Sequence, residues 1–324
     1  MSADYYQVQF IAHVLDTSPQ MAGSRERYIG LADEAQDIRE RVKLVSAVLE
    51  AAHGLPAVSG ADDTLKILML PEFFFRGASG AYSMDGIQTA VSALQDLVRN
   101  AKWRHWMFVF GTIVGKSFPT RDVASGADKH PIDDDRKAEV YNYALVQKGG
   151  FGDGAGAGPA AAHAVIKQYL SGIDFIEQAS LAGKGLSEEW VQHLQPKGDK
   201  RDERQSAAYD GAAVFRRDGL TFGVEICLDH LNGRLAHSLN RPAIDIQLIP
   251  SCGGYIKAGS IVARRDGYVF NCDGADYPLC RLQKVGSGDL VAAKTLVLDA
   301  GSTRAGELFA AGVGRLVAYP VQTL

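Results

Sequence analysis

Leu220-Thr221-Phe222-Gly223-Val224-Glu225-Ile226-Cys227-Leu228-Asp229-His230 opens apolar, as a buried strand does, and ends abruptly on polar residues. A helix-like stretch, residues 231–239, follows. Strand, sharp turn and helix is the unit from which α/β domains are built. It is also a way to present a nucleophile, because the strand holds the residue and the turn exposes it. Cys227 stands at that turn. The bland reading of a cysteine on an apolar strand is an inert core residue. A reactive cysteine needs a proton acceptor and an oxyanion stabiliser from elsewhere in the chain.

Working outward, residues 212–215 and 220–226 flank Arg216-Arg217-Asp218-Gly219, an Asp-Gly hairpin turn. Residues 244–250 form a further buried strand, 260–266 a helix, and 268–273 an extended segment. Late strands are expected at 279–285, 290–298 and 315–321. Towards the N-terminus, residues 6–15, 65–75, 106–114, 140–147 and 164–170 read as strands. Residues 24–53 and 85–100 carry apolar side chains at helical spacing. The stretch 149–158 is a Gly/Ala-rich loop, and 117–137 and 181–208 are polar excursions, the latter with a helical piece around 188–194. Strands alternate with helices early, hairpins join later, and no composition shift marks a boundary. The expectation is one α/β domain over 1–324, with a core at 6–298 and a C-terminal extension or strand at 299–324.

Bulk composition narrows the function classes. The 324 residues are 46% hydrophobic and 22% charged, with a net charge of -4. That balance gives no reason to expect nucleic acid or an anionic membrane as partner. No apolar run reaches the roughly 18 residues that span a bilayer. The N-terminus lacks the basic start and apolar stretch of a signal peptide. The four cysteines, Cys227, Cys252, Cys272 and Cys280, show no paired spacing, so neither a disulfide framework nor a zinc site is expected. A cytoplasmic protein with no metal and no cofactor is the reading.

Two further segments carry chemistry. In Leu68-Met69-Leu70-Pro71-Glu72-Phe73-Phe74-Phe75 a carboxylate ends an apolar strand. Desolvation there would raise its pKa and make it a base for a thiol. The alternative is a structural glutamate capping neighbouring backbone. In His163-Ala164-Val165-Ile166-Lys167-Gln168-Tyr169-Leu170 a lysine interrupts a strand. Facing solvent it is ordinary; facing inward it is a fixed cation for an oxyanion.

Leu70-Pro71-Glu72-Phe73-Phe74, Lys167 and Gly223-Val224-Glu225-Ile226-Cys227-Leu228-Asp229 resemble, in order and context, the motifs of the nitrilase or carbon–nitrogen hydrolase superfamily. Tyr141-Asn142-Tyr143-Ala144-Leu145-Val146, Asp245-Ile246-Gln247-Leu248-Ile249-Pro250-Ser251 and Arg264-Arg265-Asp266-Gly267-Tyr268-Val269-Phe270-Asn271 are similar to its flanking segments. The resemblance implies a four-layer αββα sandwich and a Glu72, Lys167, Cys227 triad with the backbone N–H of Leu228 as oxyanion donor. It implies hydrolysis of a small amide or carbamoyl compound through a cysteine thioester, with a nitrile as the alternative substrate. A catalytically silent binding protein is the rival from another class. It also implies a homodimer or larger homo-oligomer. Many relatives use a second glutamate, for which Glu177 is the nearest candidate, ahead of Glu188 and Glu189. Expected pocket residues are Phe73, Tyr143, His230, Ser251, Cys252 and Tyr255. His230 departs from the pattern, since relatives often carry arginine after the aspartate. It also raises a Cys227–His230 pair as a rival mechanism.

Overall fold

The computed structural model describes residues 5–22, 25–117, 138–154, 156–169, 171, 173–174, 180–181, 184–185, 191–193, 213–238, 242–275, 279–299 and 304–324. Among them, two large sheets lie face to face. The first has nine strands, with the path Val191–His193, Ala138–Lys148, Trp106–Ser117, Thr64–Met69, Gln7–Val14, Arg315–Ala318, Lys294–Val297. The second has six, from Val214–Arg217 through Leu220–Val224, Ile244–Ser251 and Ala263–Asp273 to Arg281–Lys284 and Gly288–Leu290.

The central strands read as largely apolar runs because both their faces are buried. Phe10, Ala12, Ile67 and Met69 point between the sheets and meet Phe222, Val224, Ile246, Leu248 and Phe270. Their strand neighbours Ile11 and Leu68 point the other way. There they meet α1 (Glu34–His53) and α2 (Met84–Val98) through Ile38, Val45, Val48, Leu49, Ile87 and Leu94. Asp33 caps α1 by accepting from Gln36 N, and Ser83 caps α2 by accepting from Gly86 N. The outer face of the second sheet carries Gly223, Glu225 and Gln247, covered by two one-turn helices, Leu228–Leu231 and Arg234–His237, and the Ala258–Ser260 turn. The layering is αββα, with the second helical layer reduced to single turns among the described residues.

Several boundaries differ from the sequence expectation. The helix expected over 24–53 begins at Glu34, and Gln20–Ala22 pairs with Arg25–Arg27 as a small hairpin before it. The helix expected at 260–266 is strand, because Ala263 enters the Ala263–Asp273 strand beside Ile244. The 231–239 helix breaks at Gly233, whose φ of 68° leaves the helical region. The strand around 290–298 is two strands. The C-terminal strand lies inside the first sheet, with Ile11 opposite Ala318 and Val14 opposite Arg315. The helical piece around 188–194 is a strand where it is described, at Val191–His193. Glu177, Glu188, Glu189 and the excursion at 118–137 lie outside the described residues.

Candidate active site

Glu72 follows the end of the Thr64–Met69 strand, in a turn pinned from three sides. Glu72 N donates to Ser251 O at 3.2 Å, Thr17 Oγ1 donates to Glu72 O at 2.7 Å, and Phe73 N donates to Thr112 Oγ1 at 2.8 Å. Gly111 makes this approach possible. It takes φ +61°, and a Cβ there would stand 2.1 Å from Pro71 O. Phe73 itself is held at φ 63°, a conformation that a bulky residue adopts only when its surroundings force it.

Cys227 is the second strained position, at φ 46° and ψ -103°. Its N–H donates to Pro250 O at 3.1 Å, and its Sγ lies 3.6 Å from Cys252 O. Only 4% of Cys227 is exposed. Leu228 follows at the first position of a one-turn helix, and its N–H makes no hydrogen bond within the described residues. The facing wall is Gly254, where a Cβ would come 3.5 Å from the thiol sulfur. Ser251 Oγ bonds Asn271 and Asp273, Gly254 N donates to Asp273 Oδ2, and Asn271 Nδ2 donates to Gly254 O. The 251–254 loop is thereby fixed against the thiol.

Lys167 faces inward and is 1% exposed. Its Nζ lies 2.8 Å from Glu72 Oε1 and 2.6 Å from Asp174 Oδ2, with all three side chains fully enclosed. Asn142 Nδ2 donates to Glu72 Oε1 at 2.9 Å and to Asp174 Oδ1 at 3.1 Å. Glu72 Oε2 is buried with no hydrogen-bond partner. Asp229 joins the lysine and cysteine segments. Its carboxylate accepts from Gln168 N and Tyr169 N at the end of the lysine strand, and from Arg234 Nη1 at 3.0 Å. The two residues after Lys167 are thus tied to the second residue after Cys227.

These contacts set the charges. Burial lifts Glu72 to about 7, opposed by Lys167 and assisted by the charge of Asp174. Burial pulls Lys167 down, but the carboxylates of Asp174 and Glu72 outweigh it and hold the ammonium well above its ordinary value. Burial pushes Asp174 up, yet Lys167 outweighs it and keeps it ionised. The Cys227 thiol is raised well above its usual value, first by burial and then by Glu72. The resting cysteine is a neutral thiol that needs a base, and Glu72 carries an unoccupied oxygen and a pKa suited to that exchange.

The expected residues divide clearly. Glu72, Lys167 and Cys227 share one buried cluster. Phe73 packs against it, with Lys167 Nζ 5.4 Å from the ring centroid. Ser251 spends its hydroxyl on Asn271 and Asp273. Cys252 is buried beside Cys227, its thiol raised by burial, and Tyr255 is 50% exposed. Tyr143 faces away: strand alternation turns Asn142 to Glu72 and Tyr143 to a separate cavity with Ile87, Val91 and Leu145. His230 is fully buried away from the thiol. Its Nδ1 lies 2.7 Å from Glu225 Oε2, and its Nε2 accepts from Lys257 N at 3.0 Å. Both ring nitrogens being engaged, the Cys227–His230 pair has no free base. Asp174 is the acid beside Lys167 among the described residues, and the expectation for Glu177 falls outside them. The only sequence signal for Asp174 was an acid shortly after the lysine in Ser171-Gly172-Ile173-Asp174. Asn142 stands out in the sequence only as a member of the 141–146 segment that resembles a flanking strand. Among the described residues, no group of metal-ligating side chains is assembled, and no helix is long and apolar enough to cross a membrane.

No protein-family model and no curated protein match this chain. Similar solved structures include an amidase from Nesterenkonia sp., with TM-score 0.46 and 12% identity over 100% of this chain and 91% of that one. A double mutant of the Nesterenkonia sp. AN1 amidase in complex with acrylamide gives 0.48 and 12%, over 97% and 90%. Saccharomyces cerevisiae Nit3, a member of branch 10 of the nitrilase superfamily, gives 0.45 and 14%, over 98% and 90%. The fold is α/β.

Proposed function

We propose that the protein is a carbon–nitrogen hydrolase of the nitrilase superfamily that cleaves a small amide through a thioester on Cys227. The observation that carries this reading is the buried contact of Lys167 with both Glu72 and Asp174, beside a thiol at a strained strand end. A buried cation between two carboxylates is costly to assemble and is a poor way to gain stability. Strain and shifted pKa values at one place are characteristic of functional sites.

In this mechanism Glu72 Oε2 takes the Cys227 proton as Sγ attacks the amide carbon. The oxyanion is held by the Lys167 ammonium and the Leu228 N–H. Asp174 keeps Lys167 charged and orients it. The carbon–nitrogen bond breaks as Glu72 returns the proton to the departing nitrogen, leaving the acyl group on sulfur. A water then gives its proton to Glu72 and attacks the thioester, releasing the acid and restoring the thiol. The acid beside Lys167 is an aspartate here, with Asn142 linking it to the base. The cytoplasmic location read from the unpaired cysteines and the homo-oligomeric assembly implied by the motif resemblance belong to the same proposal.

Ammonia release from a panel of aliphatic amides and nitriles tests the reading. Ammonia from amides alone supports it, and ammonia from nitriles alone replaces it with the nitrilase reading. No ammonia from either, in folded protein, favours the silent binding protein.

A further inference from the structure

Two buried arginines sit close to the site, and they are held differently. Arg41 is fully engaged: Nε donates to Asp37 at 2.6 Å, Nη1 to Phe74 O at 2.7 Å, and Nη2 to Ile29 O at 3.0 Å. Arg76 is 3% exposed and makes one such bond, from Nη1 to Ile173 O at 3.1 Å. Its Nε and Nη2 have no partner, and among the described residues no carboxylate stands within ion-pair distance of it. An arginine cannot shed its proton to escape burial. A buried guanidinium held this loosely is costly to the fold, so local pairing does not account for its charge.

Arg76 lies between the two turns that carry the acids of the site. On one side its Cζ stands 3.3 Å from the ring centroid of Phe73, the residue after Glu72, which is itself held at φ 63°. On the other it stands 4.4 Å from the ring of Tyr28, whose hydroxyl donates to Asp174 O at 3.0 Å. Its one hydrogen bond reaches Ile173 O, immediately before Asp174. A single guanidinium thereby clamps the strained base turn to the acid turn, by stacking and one hydrogen bond.

The charges of the cluster supply a reason for it. With Glu72 ionised, Glu72 and Asp174 are two anions, and Lys167, which touches both, is one cation. The enclosed trio keeps a net negative charge, and burying a net charge is costly. Arg76 adds the balancing cation without an ion pair to either acid. Its charge opposes the burial that lifts Glu72, and Asp174 and Glu72 act on it in return. The other titratable groups facing Glu72 are the thiols of Cys227 and Cys252, both kept protonated by burial. Those facing Arg76 are Tyr28 and, lining the same cleft, Asp16, which is engaged by Ser18 N at 2.9 Å and Gln20 Nε2 at 3.1 Å. A cation placed this way acts on the proton affinity of the base.

We propose that Arg76 is a positioning residue for the catalytic base: its charge favours the ionised form of Glu72, and its bond to Ile173 O keeps Asp174 turned onto Lys167. The proposal rests on the hydrolase reading for what the base does. Its action on Glu72 is a property of the resting protein and does not depend on turnover. Neutralising Arg76 strengthens the hold of Glu72 on its proton and moves the enzyme's working range to higher pH.

Two substitutions separate charge from hydrogen bonding. Arg76→Gln removes the charge and keeps a donor for Ile173 O, and Arg76→Lys keeps the charge. The first readout is the acidic limb of kcat/KM for a neutral aliphatic amide. Arg76→Gln should raise it by about one pH unit, the lower end of what a nearby opposite charge exerts. Its activity should then fall roughly tenfold below wild type at pH 6 and stay within about twofold at pH 9. Arg76→Lys should leave the limb within about half a unit of wild type. The second readout needs no turnover: carbon-13 NMR titration of glutamate carboxyls, with the Glu72 signal identified by its loss in Glu72→Gln. That signal should show the same upward displacement in Arg76→Gln. A Glu72 titration that stays in place in folded Arg76→Gln, or moves as far in Arg76→Lys, overturns the proposal. A deficit of equal size at every pH makes Arg76 a structural part only and overturns it too. If Arg76→Gln does not fold, Arg76→Lys decides, since a displacement of about a unit there contradicts a role for the charge. Displacement without turnover of any amide keeps the coupling and sinks the hydrolase. Turnover without displacement keeps the hydrolase and sinks the proposal.

Discussion

Glu72 Oε1 and Lys167 Nζ stand 2.8 Å apart with neither side chain exposed, and the other oxygen of Glu72 has no partner. In the proposed mechanism the pair makes the glutamate a fixed base, with Oε1 committed to the ammonium and Oε2 left for the thiol proton. It also couples the base to Asp174, which holds the same ammonium at 2.6 Å.

This coupling sets a pH profile. Glu72 acts as base only when ionised, so kcat/KM should rise with pH around the value of about 7 to which burial lifts it. The charge of Asp174 contributes to that elevation. Asp174→Asn should therefore move the acidic limb to lower pH while reducing kcat, by roughly tenfold or more. A pH–rate series on the two proteins checks both; a limb that stays in place in Asp174→Asn contradicts the assigned coupling.

The same shift predicts a stability effect of definite sign. Glu72 holds its proton more tightly in the folded than in the unfolded chain. Its contribution favours folding at low pH and fades as pH rises from about 4.5 to about 7. Glu72→Gln removes that penalty and leaves Asp174 to pair Lys167. Its stability relative to wild type should therefore increase between pH 5 and pH 8, on the order of 3 kcal/mol. Urea unfolding at the two pH values measures it; a difference that shrinks with pH refutes the raised pKa.

Lys167→Met removes the cation from between two buried carboxylates. Turnover should be lost. Urea unfolding at pH 8 should show a destabilisation of about 3–5 kcal/mol, smaller at pH 5, where protonated carboxyls need no cation. An active Lys167→Met would remove the lysine from the mechanism.

How much of this was legible in the sequence follows from what each residue's neighbours look like in one dimension. Cys227 and Glu72 end apolar strands, so their exceptional setting is local and readable. Both strands are buried on two faces, which is why their runs carry few polar residues. Asn142 meets Glu72 and Asp174 only through contacts that the fold creates, and strand alternation alone does not single it out. The turn at Ser171 brings Asp174 back onto Lys167, a contact that linear spacing after the lysine does not reveal. The 260–266 stretch read as helix because its polar residues lack strand alternation; pairing with Ile244 overrides that pattern.

His230 illustrates the same limit. Its motif position suggested the pocket rim, but its ring joins Glu225, Gln247 and Lys257 beneath the outer turns. His230→Ala should cost about 1–3 kcal/mol of stability through unpaired buried groups, with kcat/KM within a few-fold of wild type. A changed substrate preference at unchanged stability would return His230 to the pocket.

The central claim is a thioester on Cys227, and mass spectrometry of acid-quenched protein taken during amide turnover tests it most directly. The account predicts an added mass equal to the acyl group on the peptide containing Cys227, and no adduct or turnover in Cys227→Ala. An acyl group on any other residue, or turnover that survives in Cys227→Ala, would contradict it.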